Sequence, residues 1–588
     1  MFKKCAVIFM ALVLSAVSLT ACSETSSQNS QSSDTSVSSS VSQISIETSS
    51  ENTSSVSDTD ENSMFSDGDY KDVTSEEVNA TITLSGSEGT ISDTTRGSSG
   101  SEVTITSKGT YKVTGSSENV TITVNDTTKS GNIYLILDNV SMTNTTNACI
   151  NVQACDKLII QCTGENSLTY SNSDSSAKID GAVYAKDDVT INGDGTLNIT
   201  SALHGIVCKE DLKVTGSTLN INADSIGIQA NDSFKVGGGT ITVTAGHDGV
   251  QLENDDNTSS FYISDGTLTV DAGYDGISVK AGNDSAAFTG TAELAGGVVS
   301  ITAGGGSDNS KNSSTSQKGI KCDGDIIMGD TVLTVSGADD AIHGNANITI
   351  NAGSMSLSTS DDGLTATGSI TINGGSVDIT KSYEGIEAET VVINDGKVSV
   401  VSSDDGINTA GGSDTSAQDD TPWGANSNAS LTINGGTVYV NASGDGLDSN
   451  GSVYVTGGVT IVEGPTTSGN GALDKGDSGS CVASITGGTV LALGTADMAV
   501  NFDAGTQCSA LVSLSGTAGT EISVDDGSGF TFTATKDFAC AVYSSPNLTE
   551  GNSYTLTAGS ETATIDFSSG LYYSNVSSMG GGPGGFGR

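Results

Sequence analysis

The sequence predicts an all-β chain, a parallel β-helix of about 22 residues per coil, on two observations. The first is a repeated acid-Gly-aliphatic step: Asp362-Gly363-Leu364, Glu384-Gly385-Ile386 and Asp405-Gly406-Ile407, with glycines 22 and 21 residues apart. A period in this range marks a solenoid. The second is the content of each copy, which breaks into three short runs. In the first copy these are 364–367, 369–372 and 376–380, with Asn373-Gly374-Gly375 as turn chemistry between the last two. Ile370 and Ile372 alternate with Thr371, and Val377 and Ile379 with Asp378, so each run has one apolar face. Three such strands close with those faces inward, and stacked neighbours complete a core that one coil alone cannot bury.

The step recurs at Asp180-Gly181, His204-Gly205-Ile206, Ile226-Gly227-Ile228, Asp248-Gly249-Val250, Asp275-Gly276-Ile277, Lys318-Gly319-Ile320, Asp340-Ala341-Ile342 and Asp445-Gly446-Leu447. It continues as a shifted Gly471-Ala472-Leu473 and a worn Ala499-Val500.

In chain order, 1–21 reads as a signal peptide: Lys3 and Lys4 precede an apolar run over 6–14. It ends Leu19-Thr20-Ala21-Cys22, which resembles the bacterial lipobox and implies cleavage before Cys22 and lipidation of its sulfur. Residues 22–69 are rich in Ser, Thr, Asn, Asp and Glu and are expected to form a disordered stalk, with too little apolar surface to offset the entropy of ordering. Residues 70–200 are expected to hold the N-terminal cap and first coils, 201–504 the regular coils with loop insertions, 505–572 the C-terminal cap strands and 573–588 a Gly-rich disordered tail. A solenoid needs such caps because its end coils otherwise expose the core.

Four segments carry a family resemblance: Lys108-Gly109-Thr110-Tyr111-Lys112-Val113-Thr114-Gly115, the run 133–143 (IYLILDNVSMT), the run 186–193 (KDDVTING), and the serial D-G-I and I-N-G-G steps. Together, over roughly 70–570, they resemble the secreted bacterial carbohydrate-binding domain family. The resemblance implies a right-handed parallel β-helix shaped like a pectate lyase. It also implies calcium sites on the helix surface and binding of cellulose and pectin-like plant cell-wall polysaccharide.

Polar insertions interrupt the coils at 253–261, 304–317 and 409–428. In solenoids such insertions gather on one face, often the binding face. The third holds Trp423, the sole Trp, which either stacks on sugar or folds back over a coil; Tyr274 and Tyr383, both two before the step Gly, offer isolated stacking contacts. The formal charge of −48, from 22 Lys+Arg against 70 Asp+Glu, excludes a broad nucleic-acid surface. Of ten Cys, eight lie beyond the export signal without a paired framework or metal spacing. Cys208 and Cys322 share a repeat position several coils apart, too far to bond. Cys149, Cys155 and Cys162 permit one disulfide of unassigned pairing.

The chemistry follows from stacking. Just before the step Gly the row reads Asp248, Asp275, Lys318, Asp340, Asp362, Glu384, Asp405, Asp445. Two residues after it, on the side expected to point outward, come Gln251, Ser278, Lys321, His343, Thr365, Glu387, Asn408 and Asp448, then Asp474 and Asn501. Carboxylates about 5 Å apart repel by ~1 kcal/mol in water and ~3 kcal/mol at an effective dielectric of 20. Bound Ca²⁺, which takes about six to eight oxygens, relieves that repulsion. The candidate metal ligands are Asp362, Glu384, Glu387, Asp405 and Asn408 in one cluster and Asp445, Asp448 and Asp474 in another. The alternative is turn chemistry, each Asp accepting backbone N–H groups two residues on.

Three functional readings follow. The first is a non-catalytic, surface-anchored, monomeric protein that binds acidic or plant cell-wall polysaccharide with calcium bridging carboxylates on both sides, contacted by Trp423, Tyr383, Tyr274 and Lys321. The second is a calcium-dependent polysaccharide lyase, for which Lys321, beside His343, Lys318 and Lys280, is the candidate base. The third is a structural adhesin.

Overall fold

The computed structural model describes residues 64–283, 285–410 and 428–576. Among these every named element is a strand; 44 strands join one continuous sheet and four form a second.

The regular part is three ladders of parallel strands, each rung supplied by one coil. In the ladder that follows the step Gly, the Cα register runs Ile342, Leu364, Ile386, Ile407, Leu447. In the second it runs Ile348, Ile370, Val391, Leu431, Val453. In the third it runs Leu333, Met355, Val377, Val398, Val438. The period-two pattern is why these faces meet: along Ser354–Thr359 burial alternates, with Met355 and Leu357 inside and Ser354 and Ser356 outside. The inward side chains of all three ladders belong to one apolar cluster that extends from Ala80 to Val542.

The step glycines allow close approach between coils. A Cβ on Gly385 would lie 2.3 Å from the carbonyl oxygen of Gly406 and 2.2 Å from Val400 Cγ1. That same Gly406 carbonyl accepts the Ile386 N–H at 3.1 Å, so backbone bonding between coils passes through the step. At the Asn-Gly-Gly turns the requirement is conformational instead: Gly375 and Gly396 sit at φ 78° and 97°, where a side chain is strained. Beside them the amides of Asn351, Asn373, Asn394 and Asn434 form their own ladder, each Nδ2 donating to the Oδ1 one coil earlier at 2.8–2.9 Å.

Both ends are closed by antiparallel strands. Ala80–Gly86 forms a hairpin with Glu88–Ile91 and pairs in parallel with Gly109–Glu118. At the other end, Phe538–Ser544 runs antiparallel to Thr489–Gly494 and Ser509–Gly516. Glu521–Val524, Thr531–Thr533, Ser553–Ala558 and Glu561–Asp566 make the separate antiparallel sheet, over a second apolar cluster.

Parallel pairing in the second ladder joins Gly109–Glu118 to Ile133–Asn144, so coils run through the region where the first coils were expected. Three other expectations meet a different structure. The stalk boundary at 69 lies too far downstream: Asp69 is fully buried on the second ladder, where Oδ1 accepts from Lys157 Nζ at 2.9 Å and from Thr190 Oγ1 at 2.7 Å. The Val73 N–H reaches Gln161 Oε1 at 2.9 Å, so this segment forms a strap across the coils. At the C terminus the strand Tyr572–Ser574, paired with Ser509–Gly516, carries the cap two residues past the expected boundary at 572. Cys149, Cys155 and Cys162 are buried free thiols, as are Cys208, Cys322, Cys481, Cys508 and Cys540, so no disulfide forms among them.

Candidate functional site

Two rows of polar side chains run beside the step ladder. The row two after the glycine is in vertical register: Gln251, Ser278, Lys321, His343, Thr365, Glu387, Asn408 and Asp448 are successive Cα partners. Flanking residues such as Ile386 and Ala388 face the core, so the side chains between them leave the strand on its other face. They do not meet open solvent, however. Ser278, His343, Thr365, Glu387 and Asn408 are all buried, which corrects the expected solvent-facing row. The row before the glycine packs against it and makes a narrow acidic trench: His343 Nδ1 lies 2.7 Å from Asp340 Oδ2, and Asn408 Nδ2 donates to Glu384 Oε2 at 3.1 Å.

Backbone bonds tie the row before the glycine from coil to coil. The Asp275 N–H donates to Asp248 Oδ1 at 3.2 Å and the Lys318 N–H to Asp275 Oδ1 at 2.8 Å. Likewise Asp362 donates to Asp340 (3.3 Å), Glu384 to Asp362 (3.1 Å), Asp445 to Asp405 (2.6 Å) and Gly471 to Asp445 (2.5 Å). The turn reading is thereby corrected as well: the N–H that each acid accepts lies in the following coil, not two residues on. One oxygen is used in this way, and the other is left for a second partner.

In the middle coil that second partner is a side-chain cation. Lys318 Nζ lies 2.7 Å from Asp340 Oδ2 and 3.1 Å from Asp339 Oδ1, all three residues being buried. Lys311 pairs with Asp361. Burial would raise the Asp340 carboxyl, but the His343 hydrogen bond and the Lys318 charge outweigh it and hold it below its ordinary range. Asp339, Asp340 and Asp361 are, among the described residues, the carboxylate trio whose ligand atoms all lie within 4.8 Å of one another. Asp339 and Asp361 were missed as site residues, although the paired acids Asp339-Asp340 and Asp361-Asp362 are a visible signal.

Toward the C terminus the trench loses its cations. Among the described residues Asp362, Glu384, Asp405 and Asp445 form no ion pair. Burial, then the charges of Asp340 and Glu384, push Asp362 up to about 9. Burial, then Glu387 and Asp405, push Glu384 up to about 8. Burial and Asp445 raise Asp405 to about 7, and burial with Asp474 raises Asp445 to about 6. Asp448 is driven well above its usual range by burial and then by Asp405, Asp445 and Asp474. Asn408 Oδ1 and Thr365 Oγ1 are buried here without a hydrogen-bond partner. Such orphaned oxygens among uncompensated carboxylates suit a hard cation.

Residues 99–363 and 364–469, well over half of the chain, match the carbohydrate-binding domain-containing protein family. The chain belongs to that family. A carbohydrate-binding domain-containing protein of Acetivibrio thermocellus is 35% identical over 123 residues, which are 20% of this chain and 43% of the relative, so less than half of that relative's length is spanned. A solved structure described as a polysaccharide lyase-like protein from C. thermocellum, a gadolinium derivative, aligns over 46% of this chain and 97% of its own with 24% identity and a TM-score of 0.35.

In this member of the carbohydrate-binding domain family Asp405, expected with Asp362, Glu384, Glu387 and Asn408, lies between the two expected groups: its charge raises Glu384 on one side, and it is raised by Asp445 and Asp474 on the other. Neither group closes as tightly as Asp339, Asp340 and Asp361. The predicted sugar contacts do not assemble into a platform. The Tyr274 ring is stacked on His247, centroids 4.6 Å apart and 8° from parallel, which occupies one of its faces. Tyr383 is exposed and bonded to Asp404. Burial, then the charge of Asp275, raises Asp248 to about 7, and burial raises Asp275; the Lys321 charge offsets a small part of each rise. Trp423 and Cys22 lie outside the described residues.

Proposed function

We propose that this protein binds acidic or plant cell-wall polysaccharide along the trench, with Ca²⁺ held between the carboxylates of its C-terminal half. We read the stacked coils as a right-handed parallel β-helix. The observation that carries the reading is the contrast along the step: Lys318, Lys311 and His343 neutralise the middle coil, whereas among the described residues Asp362, Glu384, Asp405 and Asp445 form no ion pair and burial with neighbouring carboxylates raises each of them. Calcium would be held by Asp362, Glu384, Glu387 and Asn408, and by Asp405, Asp445, Asp448 and Asp474. Bound there, it would supply open coordination positions to a glycan carboxylate and so overcome the repulsion between a −48 chain and a polyanion.

The protein's own residues orient rather than react. The coil-to-coil N–H bonds fix one oxygen each of Asp362, Asp405 and Asp445, and the Asn408 amide fixes Glu384. The reading is non-catalytic, and its support is the match to a carbohydrate-binding family. Export and a lipid on Cys22 would place the domain at the outer surface of a membrane. Binding of polygalacturonate and of cellulose to the full folded domain, compared in Ca²⁺ and in EDTA, tests this. Binding that ignores EDTA removes calcium from the reading, and an absorbance rise from unsaturated uronides during incubation makes the protein a lyase.

A further inference from the structure

A notch lined by an arginine and a lysine lies near the N-terminal end. Arg96 is one of only two arginines in a chain of net charge −48, the other being Arg588. It lines a notch of about 530 Å³ with Lys108, Asn79, Asn132 and Tyr134. That volume is within the range of small-ligand sites.

The notch is built from backbone constraints. Arg96 Nη1 donates to the Lys108 carbonyl oxygen at 3.0 Å, and Lys108 Nζ donates to the Ser130 carbonyl oxygen at 3.0 Å, so both cations are held in place by uncharged acceptors. Asp93, 3.4 Å from Arg96 Nε, is the one carboxylate paired with them. The pair therefore carries a net positive charge. Arg96 keeps its Nη2 hydrogens and one on Nη1 for a ligand. Asn79 Oδ1 accepts the Thr110 N–H at 2.7 Å, which leaves its amide nitrogen as a donor. Gly109, at φ 142°, keeps the floor open: a Cβ there would lie 2.4 Å from Asn79 Oδ1. Lys71 Nζ lies 5.4 Å from the centroid of the Tyr134 ring at the rim.

We propose that this notch binds the carboxylate of an acidic sugar directly, without a metal ion, as a second glycan subsite. The guanidinium and ammonium take the carboxylate, and the Asn79 and Asn132 amides and the Tyr134 hydroxyl meet ring hydroxyls. The assignment to a sugar acid rests on the glycan-binding reading above. It does not rest on calcium, and this makes the two separable.

The test is calorimetric titration of the full folded domain with trigalacturonate in EDTA, set beside the fully methyl-esterified trimer. Binding of the acid that survives EDTA is expected. The ester and the variants K108Q and R96Q/K108Q should each weaken it about tenfold or more. Lys108 is exposed, so K108Q reads the site even if loss of Arg96 disturbs the fold. The proposal is overturned if wild type shows no EDTA-resistant binding, if both variants bind as wild type, or if the ester binds as well as the acid. Inorganic phosphate that competes as well as the trimer would mark a generic anion site and likewise overturn it. Failure of the trench reading appears elsewhere, as binding of long polygalacturonate by R96Q/K108Q, whose notch is removed, that is the same in Ca²⁺ and in EDTA.

Discussion

Lys318 Nζ sits 2.7 Å from Asp340 Oδ2, so in this coil a tethered ammonium meets the carboxylate charge that, among the described residues, Asp362, Glu384, Asp405 and Asp445 carry without an ion pair. Substitution Lys318→Met removes one partner of a buried pair, which typically costs ~3–5 kcal/mol. In EDTA the variant should melt well below wild type. Added Ca²⁺ or Tb³⁺ should restore much of the loss, with one more ion bound per chain. Equal stoichiometry in both proteins would show that the trio Asp339, Asp340 and Asp361 does not take a metal.

Asp405→Asn separates charge from hydrogen bonding. The amide oxygen can still accept the Asp445 N–H, now at 2.6 Å, while the repulsion from Asp445 disappears. The variant should be as stable as wild type or more so in EDTA, and should gain less from Ca²⁺. Asp448→Asn should behave in the same way. Thermal melts with and without calcium check both, and an undiminished calcium shift would remove these residues from the metal assignment.

Asp362, Glu384 and Asp405 hold protons more tightly folded than unfolded, with folded values of about 9, 8 and 7. Folding therefore takes up protons. The stability these groups permit is full below the unfolded carboxylate range near ~4 and is lost as pH rises through ~7–9. Metal-free protein should melt lower at pH 9 than at pH 6. Calcium, which binds the deprotonated form, should flatten the profile. A metal-free melting temperature that rises over this interval would contradict the trench electrostatics.

Asp69→Ala should free the strap. Its carboxylate receives Lys157, Thr190 and the Ser66 N–H, contacts that together outweigh burial and hold it well below the usual carboxylate range. Its loss leaves Lys157 and Lys213 without that partner, at a cost of about 3 kcal/mol or more. Hydrogen exchange should accelerate over 66–74 while the third ladder stays protected, and unchanged exchange there would show that the strap is held by other contacts.

Much of the fold was legible because period-two alternation and the glycine step are properties of single coils. Ile370, Ile372, Val377 and Ile379 announce their inward faces without reference to any neighbour. The trench was legible only in outline. Alternation places Glu387 and Asn408 opposite the core, but their burial depends on side chains one coil above and below. Lys318 read as an odd member of an acidic row, because its counter-charges Asp339 and Asp340 lie in the next coil. The N–H groups that Asp362 and Asp405 accept are likewise in following coils, beyond the reach of local turn rules. Asp69 was hidden by its polar surroundings: composition averaged over 22–69 cannot reveal one buried anchor at the end.

Phe538–Ser544, laid in reverse across Thr489–Gly494, closes the last rung of the third ladder. A stack of equal parallel rungs is a template that accepts a further rung, including one donated by another molecule. Phe538–Ser544 is paired on both sides within the chain, so Thr489–Gly494 presents no open edge on which a neighbouring molecule could extend that ladder.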